Sequence, residues 1–578
     1  MADNQTSTRI FLSVFGATSG AALWGLGELA DRVDPGRVWL ALFTFVLVGA
    51  ASVLLLAGPL GRRQGLFGGA ALGLAVAALM SAGALRFEGI DGFLRDAHPF
   101  FAIFGITLIA LPFVITTLRE DEVWTDYDAL FTHAWQLVVR AIVAFAFLGA
   151  VWLLMLLSSA VLEIVGIEIL KRLMRQDAFG FTLSGGVLGL GAAILYELRD
   201  TIRPALVLRL LRVMLPPVLV VAVLFLFGVV AQMNGPLRGL FGALSPSAVL
   251  MMLGFVAASL VTTAIDTKDE RGVQGMGMLW MARAMALILP VLAGVAFYGV
   301  TVRVGAFGWT PDRLVAITIA ALLLGYGLVY AAALLRGTGW RAGVRQGNVT
   351  MALVVLGVTA LWFTPVLNPQ NISTKSQIAR FDAGKTEITE MPFFEMAQRW
   401  GKPGVRGLAR LEASGDAAVI ERIALARQAQ TRFQAKAAVT TTQRAEYEGV
   451  IMENAIVHGL EGALPDGFLA SMNDRRLEQF AKGCIPLATE GCAVIVAQTE
   501  QAGQVVFMFL RYGDNARFIS AFTRSDGGWQ RIRTQQLSRQ NAATLALDWA
   551  PIAQGTFRVG PARGSVLDVD GWQFFPNN

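Results

Sequence analysis

The sequence is poor in charged residues and in cysteine. Only 16% of its 578 residues are Asp, Glu, Lys or Arg, and it contains two cysteines. Soluble domains carry about 25% charged residues, and disulfide scaffolds contain more than about 8% cysteine. The low charge therefore excludes a string of soluble domains, and the two cysteines exclude a disulfide-dense secreted protein.

Apolar residues are abundant instead, and they occur in long runs. Hydrophobic residues make up 55% of the chain, and the mean hydropathy is +0.56. A bilayer core about 30 Å thick requires roughly 20 apolar residues in a helix. We therefore predict an α-helical polytopic membrane domain of about 11 transmembrane helices. The predicted spans are 10–27, 38–58, 65–85, 98–117, 136–161, 178–196, 213–232, 246–265, 279–300, 312–335 and 348–367.

The composition changes after Leu367. Residues 368–578 contain 44 charges, 23 Lys or Arg and 21 Asp or Glu. Apolar residues recur at helical spacing over 368–460, whereas 461–578 alternates in short runs separated by Gly and Asp turns. The sequence thus predicts a membrane domain at 1–367 and a soluble α+β C-terminal domain. That domain has a helical part at 368–460 and a β-rich part at 461–578 with a small antiparallel sheet.

The charged loops indicate an orientation. Up to Leu367 the chain has 25 Lys or Arg against 21 Asp or Glu, a surplus too small for a nucleic-acid binder. The predicted loops on the N-terminal side contain 13 Lys or Arg, and those on the opposite side contain ten. Because positive loops stay in the cytoplasm, we expect a cytoplasmic N-terminus. Eleven crossings then put the C-terminal domain outside the cytoplasm.

Several short motifs resemble a known family. They are Phe131-Thr132-His133-Ala134-Trp135, Arg203-Pro204-Ala205-Leu206 with Leu215-Pro216-Pro217, Gly308-Trp309-Thr310-Pro311-Asp312-Arg313, and Ile372-Ser373 with Gln377-Ile378-Ala379-Arg380. Most of the membrane region and the start of the tail resemble bacterial inner-membrane proteins catalogued as domain of unknown function 4153. The resemblance implies a shared fold in the bacterial inner (cytoplasmic) membrane. Combined with the loop charges, it predicts that the C-terminal domain lies in the periplasm. It implies no established activity.

The most specific local motif is Trp309-Thr310-Pro311-Asp312-Arg313. Thr310 is a good N-cap, and Pro311 suits the first position of a helix. Asp312 suits the positive end of the helix dipole, and Trp309 suits the membrane interface. We favour a helix start here, and a ligand loop at the outer surface is the alternative.

Three polar residues lie in or near predicted spans and form a candidate membrane polar site: Arg140, Arg283 and His133. A charge at membrane depth costs about 2.5–3.5 kcal/mol on insertion scales, so such residues often mark a substrate pathway. Both arginines are near the N-terminal side, so extension toward the headgroups is the favoured interpretation. His133 is interpreted as an interfacial residue. No Asp, Glu or Lys is at the middle of a predicted span, which disfavours a carboxylate relay.

Cys484 and Cys492 are both in the tail, with seven residues between them. In an oxidising compartment they would form a disulfide, which stabilises a short loop by about 2–3 kcal/mol. We favour the disulfide over two free thiols because the charge count places the tail outside. A redox centre is disfavoured, since the C-x-x-C spacing is absent.

The sequence predicts no catalytic residue, cofactor or metal site. Its three histidines are scattered, and it contains no Walker loop, G-x-S-x-G or H-E-x-x-H motif. The first hypothesis is a non-enzymatic envelope protein whose outer C-terminal domain binds or senses a partner. The alternative is a transporter or flippase, and the third is a lipid-linked sugar transferase using Glu28, Asp31 and Asp34. The expected partners are the lipid bilayer, an envelope protein or lipid-linked ligand, and a second copy of the chain.

Overall fold

A computed structural model gives the fold of the chain. It describes residues 2–577 except 34–35, 198–204, 233–244, 438–440, 460–461, 486, 488, 500–502, 526–527, 538–546, 562–564 and 570–571. The motif residues Arg203 and Pro204 lie outside the described residues, as does Asp34. The chain forms two compact units, Met1–Ala409 and Arg410–Asn578.

The first unit is helical. Its helices are α1 (Ala2–Arg32), α2 (Arg37–Ala84), α3 (Ile90–Leu94), α4 (His98–Leu118), α5 (Tyr127–Ile164), α6 (Ile169–Met174), α7 (Asp177–Glu197), α8 (Ala205–Val213), α9 (Leu215–Gln232), α10 (Pro246–Ile265), α11 (Met276–Phe307), α12 (Pro311–Leu334), α13 (Trp340–Trp362), α14 (Pro369–Asp382), α15 (Phe393–Gln398) and α16 (Gly401–Glu412). Within the described residues, nine helices are long and apolar enough to cross a membrane, and α8 with α9 forms a bent pair at 41°. The prediction of a helical domain with many apolar spans is confirmed.

The 48-residue helix α2 consists of two halves. Gly61 has φ +77° and ψ 171°, a non-helical conformation that glycine adopts without steric cost. The chain folds back at this point, and the two halves lie close together. A Cβ on Gly65 would be 2.5 Å from Ala57 Cα, and one on Gly73 would be 2.7 Å from Gly49 Cα. The halves form an antiparallel hairpin that corresponds to the predicted spans 38–58 and 65–85.

Helices α1 and α7 approach each other closely through glycine. A Cβ on Gly16 would be 2.1 Å from the Gly185 carbonyl oxygen, and one on Gly189 would be 2.0 Å from the Leu12 carbonyl oxygen. No side chain fits in this space, so the small residues of the two helices allow their backbones to touch. These glycines therefore act in packing within the chain.

The last predicted span is displaced. We expected it at 348–367, but α13 is Trp340–Trp362. The reason is that two arginines near its start, Arg341 and Arg345, lower the local hydropathy although their side chains bond carbonyl groups of a neighbouring loop. Because these charges lower the hydropathy, the predicted span begins eight residues after the true start of the helix.

The first unit extends beyond Leu367. Arg86 follows α2 and donates hydrogen bonds to the carbonyl oxygens of Trp362 (2.5 Å) and Thr364 (2.8 Å), at the end of α13. Gln377 of α14 donates to the carbonyl oxygens of Phe307 and Trp309. These bonds hold the chain after α13 against the apolar helices, and α14, α15 and most of α16 belong to the same compact unit.

The second unit contains a sheet with short helices. Its helices are α17 (Ala417–Gln428), α18 (Arg432–Ala437), α19 (Thr441–Asn454), α20 (Phe468–Ser471), α21 (Asp474–Cys484) and α22 (Ala550–Gln554). Its strands are β1 (Ile456–His458), β2 (Glu490–Thr499), β3 (Gly503–Tyr512), β4 (Asn515–Ser525), β5 (Gly528–Leu537), β6 (Leu547–Asp548), β7 (Arg558–Pro561), β8 (Ser565–Val569) and β9 (Trp572–Asn577). The strand order is β1-β2-β3-β4-β5-β9-β8-β7, with β6 beside β4.

The sheet is mixed, so the prediction of an antiparallel sheet is wrong for one pair. Strands β1 and β2 pair in parallel, and the other pairs among the described strands are antiparallel. The reason is the connection: the chain leaves β1, passes through α20 and α21, and returns as β2 in the same direction. A tight turn could not make this connection.

Both faces of the central strands are buried. Val494 and Val506 pack with Phe480 on the face covered by α19–α21. Ile495 and Phe507 pack with other apolar residues on the opposite face. The predicted alternation is therefore wrong for the centres of β2 and β3, because burial on two faces makes each of them a continuous apolar run.

Candidate functional site

A cavity opens between five helices of the first unit. It has a volume of about 510 Å³ and is lined almost entirely by apolar side chains of α4, α5, α10, α12 and α13. Three apolar lining residues are exposed, namely Leu108 (42%), Phe255 (68%) and Ile319 (44%). These residues mark a lateral opening on the apolar side of the helices. We call this space the lateral cavity.

Aromatic rings form one wall of the lateral cavity. Tyr127, Phe131 and Trp135 follow one another at intervals of four residues on α5, so they share one face of the helix. Their ring centroids are 5.5 and 6.3 Å apart in succession. On α12, the rings of Tyr326 and Tyr330 are perpendicular, with centroids 6.1 Å apart.

Four polar side chains meet at one end of the lateral cavity: Tyr127, Thr262, Tyr330 and Asn348, which we call the polar tetrad. The Tyr330 hydroxyl donates to Asn348 Oδ1 (2.6 Å) and lies 3.0 Å from Thr262 Oγ1. Asn348 Nδ2 donates to Thr262 Oγ1 (3.4 Å) and to the Tyr127 hydroxyl (3.5 Å). Tyr330 is 1% exposed. The tetrad is a hydrogen-bonded network at the end of an otherwise apolar space.

A strained residue follows helix α10, close to the tetrad. Asp266 has φ +52° and ψ −167°, and it is the one non-glycine with positive φ in the described chain. Such a conformation costs about 1–3 kcal/mol and requires support from its surroundings. Here the support comes from Arg212, which pairs with the Asp266 carboxylate, and from Arg345, whose Nε donates to the Asp266 carbonyl (2.9 Å). Arg345 also pairs with Asp269 at 2.7 Å.

A second cavity adjoins the lateral cavity. Its volume is about 770 Å³, and it includes Arg345, Gln346 and Thr125 in its lining. Tyr127 and Val349 line both spaces. We call it the polar vestibule, because it adds charged and polar groups next to the apolar space. Together the two spaces present an apolar surface, a hydrogen-bonding junction and a polar end.

The predicted membrane polar site is not brought together. Arg140 is 8% exposed, donates to Gln136 Oε1 (3.3 Å) and packs over the Tyr196 ring. Arg283 lies between the rings of Trp280 and Trp340, 5.8 and 5.6 Å from their centroids. Neither arginine lines the lateral cavity or the polar vestibule.

His133 is 7% exposed and lies at hydrogen-bond distance from an acidic residue. Its Nε2 is 2.8 Å from Glu122 Oε2, and Glu122 also pairs with Arg119 at 3.3 Å. His133 does not line the lateral cavity, although Phe131, Ala134 and Trp135 of the same motif do. The motif therefore has a cavity face and a face that bonds the α4–α5 connection.

The Trp309–Arg313 motif begins helix α12. Thr310 caps the helix by accepting a hydrogen bond from the Arg313 backbone N–H, and Pro311 is its first residue. Arg313 donates to the Phe307 and Gly308 carbonyl oxygens. Asp312 Oδ1 is 3.3 Å from His98 Nε2 at the start of α4.

Cys484 and Cys492 lie at disulfide distance, with their Cα atoms 4.7 Å apart. Cys484 ends α21 and Cys492 is in β2, and both are 1% exposed. The pair connects the covering helix to the sheet inside the second unit. No group of three or more His, Cys, Asp or Glu residues suited to a metal ion occurs in the described part of the chain.

Comparison with family models, curated proteins and solved structures finds no match for this chain. The resemblance to domain of unknown function 4153 therefore stays a prediction.

Sequence reasoning missed the polar tetrad. Its members are separated by up to 221 residues, so no local motif joins them. The available signal was Asn348 at the first residue of a predicted span, since an amide at membrane depth usually bonds another helix. Tyr127 lies in the predicted loop before the span 136–161, and Thr262 lies near the end of the span 246–265, and polar residues are common at both kinds of position.

Proposed function

We propose that the chain is a multi-pass membrane protein that takes up an amphipathic molecule, a lipid or a lipid-linked compound, laterally from the bilayer. The observation that carries this proposal is the lateral cavity, apolar along its length and closed at one end by the polar tetrad. A volume of about 510 Å³ is within the range of about 300–1,000 Å³ typical of small-molecule sites. Such a site suits a transporter or flippase.

The chemistry of the lining supports an amphipathic ligand. An apolar wall accepts an alkyl chain from the bilayer without loss of hydration, whereas a polar solute would lose its hydration without compensation. The exposed residues at the opening, Phe255 among them, give an alkyl chain access from the apolar side. The tetrad and the polar vestibule offer bonds to a polar end.

We further propose eleven membrane crossings, with the N-terminus in the cytoplasm and the C-terminal unit in the periplasm of a bacterial inner membrane. Both halves of α2 count as spans, and the bent pair α8–α9 counts as one. An odd number puts the termini on opposite sides. The pairing distance of Cys484 and Cys492 supports an oxidising compartment for the second unit.

The experiment measures binding of a fluorescent phospholipid by full-length protein in detergent micelles. Ala352→Phe on α13 and Ala258→Phe on α10 each add a ring inside the lateral cavity and should weaken binding at least about tenfold. The matched control is Ala332→Phe on α12, an exposed position that does not line the cavity. Equal binding by all four proteins would refute the proposal.

A second candidate function assigns partner binding to the C-terminal unit, as an envelope protein that is not an enzyme. Its support is that the second unit has its own two-sided core and a cysteine pair suited to the periplasm. Cross-linking of full-length protein in intact cells should give a discrete adduct with another envelope protein or with a second copy. An adduct pattern unchanged by deletion of residues 410–578 would count against it.

Of the three hypotheses, the sugar transferase has the least support from the structure. Glu28 pairs with Arg32 at 3.2 Å within α1, so it is occupied locally. Replacement of Glu28 and Asp31 by alanine tests the hypothesis. Loss of a lipid-linked sugar product would support it, and unchanged product levels would exclude these carboxylates.

A further inference from the structure

Within the polar tetrad, one hydroxyl hydrogen, that of Tyr127, has no acceptor. The Tyr330 hydroxyl donates to Asn348 Oδ1, and the Thr262 hydroxyl donates to the Ala258 carbonyl at 2.8 Å. The Asn348 amide uses its N–H groups toward Thr262 and Tyr127. Each tyrosine and threonine hydroxyl has a single hydrogen to donate. Tyr127 thus accepts a bond, and no acceptor for its own hydrogen occurs among the described residues.

Tyr127 occupies a fixed position between the two spaces. It is the first residue of α5, whose N-cap Asp126 accepts a hydrogen bond from Ala129 N at 3.3 Å. Its ring packs against Phe131. Because Tyr127 lines both the lateral cavity and the polar vestibule, its hydroxyl belongs to the junction of apolar and polar surfaces.

The Tyr127 hydroxyl is partly buried and faces both spaces, so a ligand that supplies an acceptor at this point gains one net hydrogen bond. In an acyl-ester lipid, a carbonyl oxygen stands between the alkyl chain and the headgroup. The alkyl chain would then lie in the lateral cavity, the carbonyl oxygen at Tyr127 and the headgroup in the polar vestibule. An ether lipid of the same shape has a poorer acceptor there.

We propose that Tyr127 donates a hydrogen bond to the ester carbonyl of an acyl-ester lipid whose chain lies in the lateral cavity. This inference rests on the proposed function and names the ligand class of the same site. The headgroup lies in the polar vestibule beside Gln346 and Arg345. Since Arg345 is paired with Asp269, selection acts on the ester rather than on a negative headgroup.

The test compares two phospholipids with identical chains and headgroup, one ester-linked and one ether-linked, for binding to purified full-length protein. Wild-type protein should prefer the ester lipid about fivefold, the value of one net hydrogen bond. Tyr127→Phe should bind both lipids equally, because the ring remains and the donor is lost. Tyr298→Phe, on α11 and outside both cavities, is the matched control and should keep the preference.

The outcomes separate this inference from the proposed function. Equal binding of both lipids by wild-type protein, or an unchanged preference in Tyr127→Phe, overturns the ester assignment. If Ala352→Phe still weakens binding of both lipids in that case, the proposed function stands. If Ala352→Phe binds both lipids as wild type does, the proposed function fails as well. Melting curves of each variant show whether it is folded.

Discussion

The polar tetrad makes a quantitative prediction for Asn348→Leu. This change removes the bond from Tyr330 (2.6 Å) and two longer bonds to Thr262 and Tyr127. The Tyr330 hydroxyl does not lose every acceptor, since Thr262 Oγ1 is 3.0 Å away and is released from the amide. We therefore expect a loss of unfolding free energy of only about 1–2 kcal/mol.

Removing the second acceptor, Thr262 Oγ1, from the Asn348→Leu variant should lower the unfolding free energy by more than the loss of one hydrogen bond. In Asn348→Leu with Thr262→Val, the hydroxyl of Tyr330 is left in a fully buried position without either tetrad acceptor. We expect the double variant to lose about 1–2 kcal/mol more than the sum of the single variants, which is the penalty for a buried unpaired group.

The assay is reversible unfolding of purified protein in mixed micelles, followed by the fluorescence of its tryptophans. The four proteins of the cycle are wild type, each single variant and the double variant. Thr301→Val on α11 is a control, because its hydroxyl bonds only within its own helix turn, to the Tyr298 carbonyl. Additive effects of the two tetrad changes would refute the network.

Three further predictions concern the rest of the chain. Arg86→Ala should lower the unfolding free energy of the first unit by about 3 kcal/mol, because two half-buried carbonyls lose a charged donor. Burial lowers the pKa of this donor to about 10. Chemical unfolding measures the loss, and an effect below about 1 kcal/mol would contradict the prediction. Gly185→Val should separate α1 from α7, since its Cβ alone would be 2.1 Å from a carbonyl oxygen; cysteine cross-linking between these helices should be lost, and retained cross-linking would contradict the packing. Burial alone raises the pKa of the Asp96 carboxyl, but the hydrogen bond and charge of His98 hold that pKa below the ordinary value of 3.8. The stability that Asp96 contributes is therefore present above pH 3.8 and is lost as the pH falls below this value. The melting temperature of Asp96→Asn should be lower than that of wild type at neutral pH and equal to it in acid. A difference in melting temperature that does not change with pH would contradict this.

Local features of the fold were predictable from the sequence, because they depend on neighbouring residues. Thr310 and Pro311 start α12, since a cap and a proline act within one turn. The apolar runs on either side of Gly61 predicted two spans, and the structure makes them the halves of one hairpin. In these cases the cause and its effect lie within a few residues.

Long-range features were not predictable. Arg86 bonds carbonyl groups more than 270 residues away, at the end of α13. Gln377 of α14 bonds the carbonyl groups of Phe307 and Trp309, and these contacts, not composition, keep α14 with the apolar helices. The tetrad joins helix ends that the sequence separates widely, as in Tyr127 and Asn348. The parallel pair β1–β2 follows from a helical connection rather than from any property of Ile456–His458. Hydropathy and turn patterns do not contain this information.

The most direct test of the lateral cavity is the labelling pattern of a photoactivatable phospholipid with a diazirine in its acyl chain, reconstituted with full-length protein. Peptide mass spectrometry gives the labelled residues. The cavity predicts labels at its buried lining, such as Phe131 and Leu323, and the suppression of these labels by Ala352→Phe. Labels spread evenly over exposed apolar residues outside it, such as Leu224 and Phe227, with no effect of Ala352→Phe, would contradict the account.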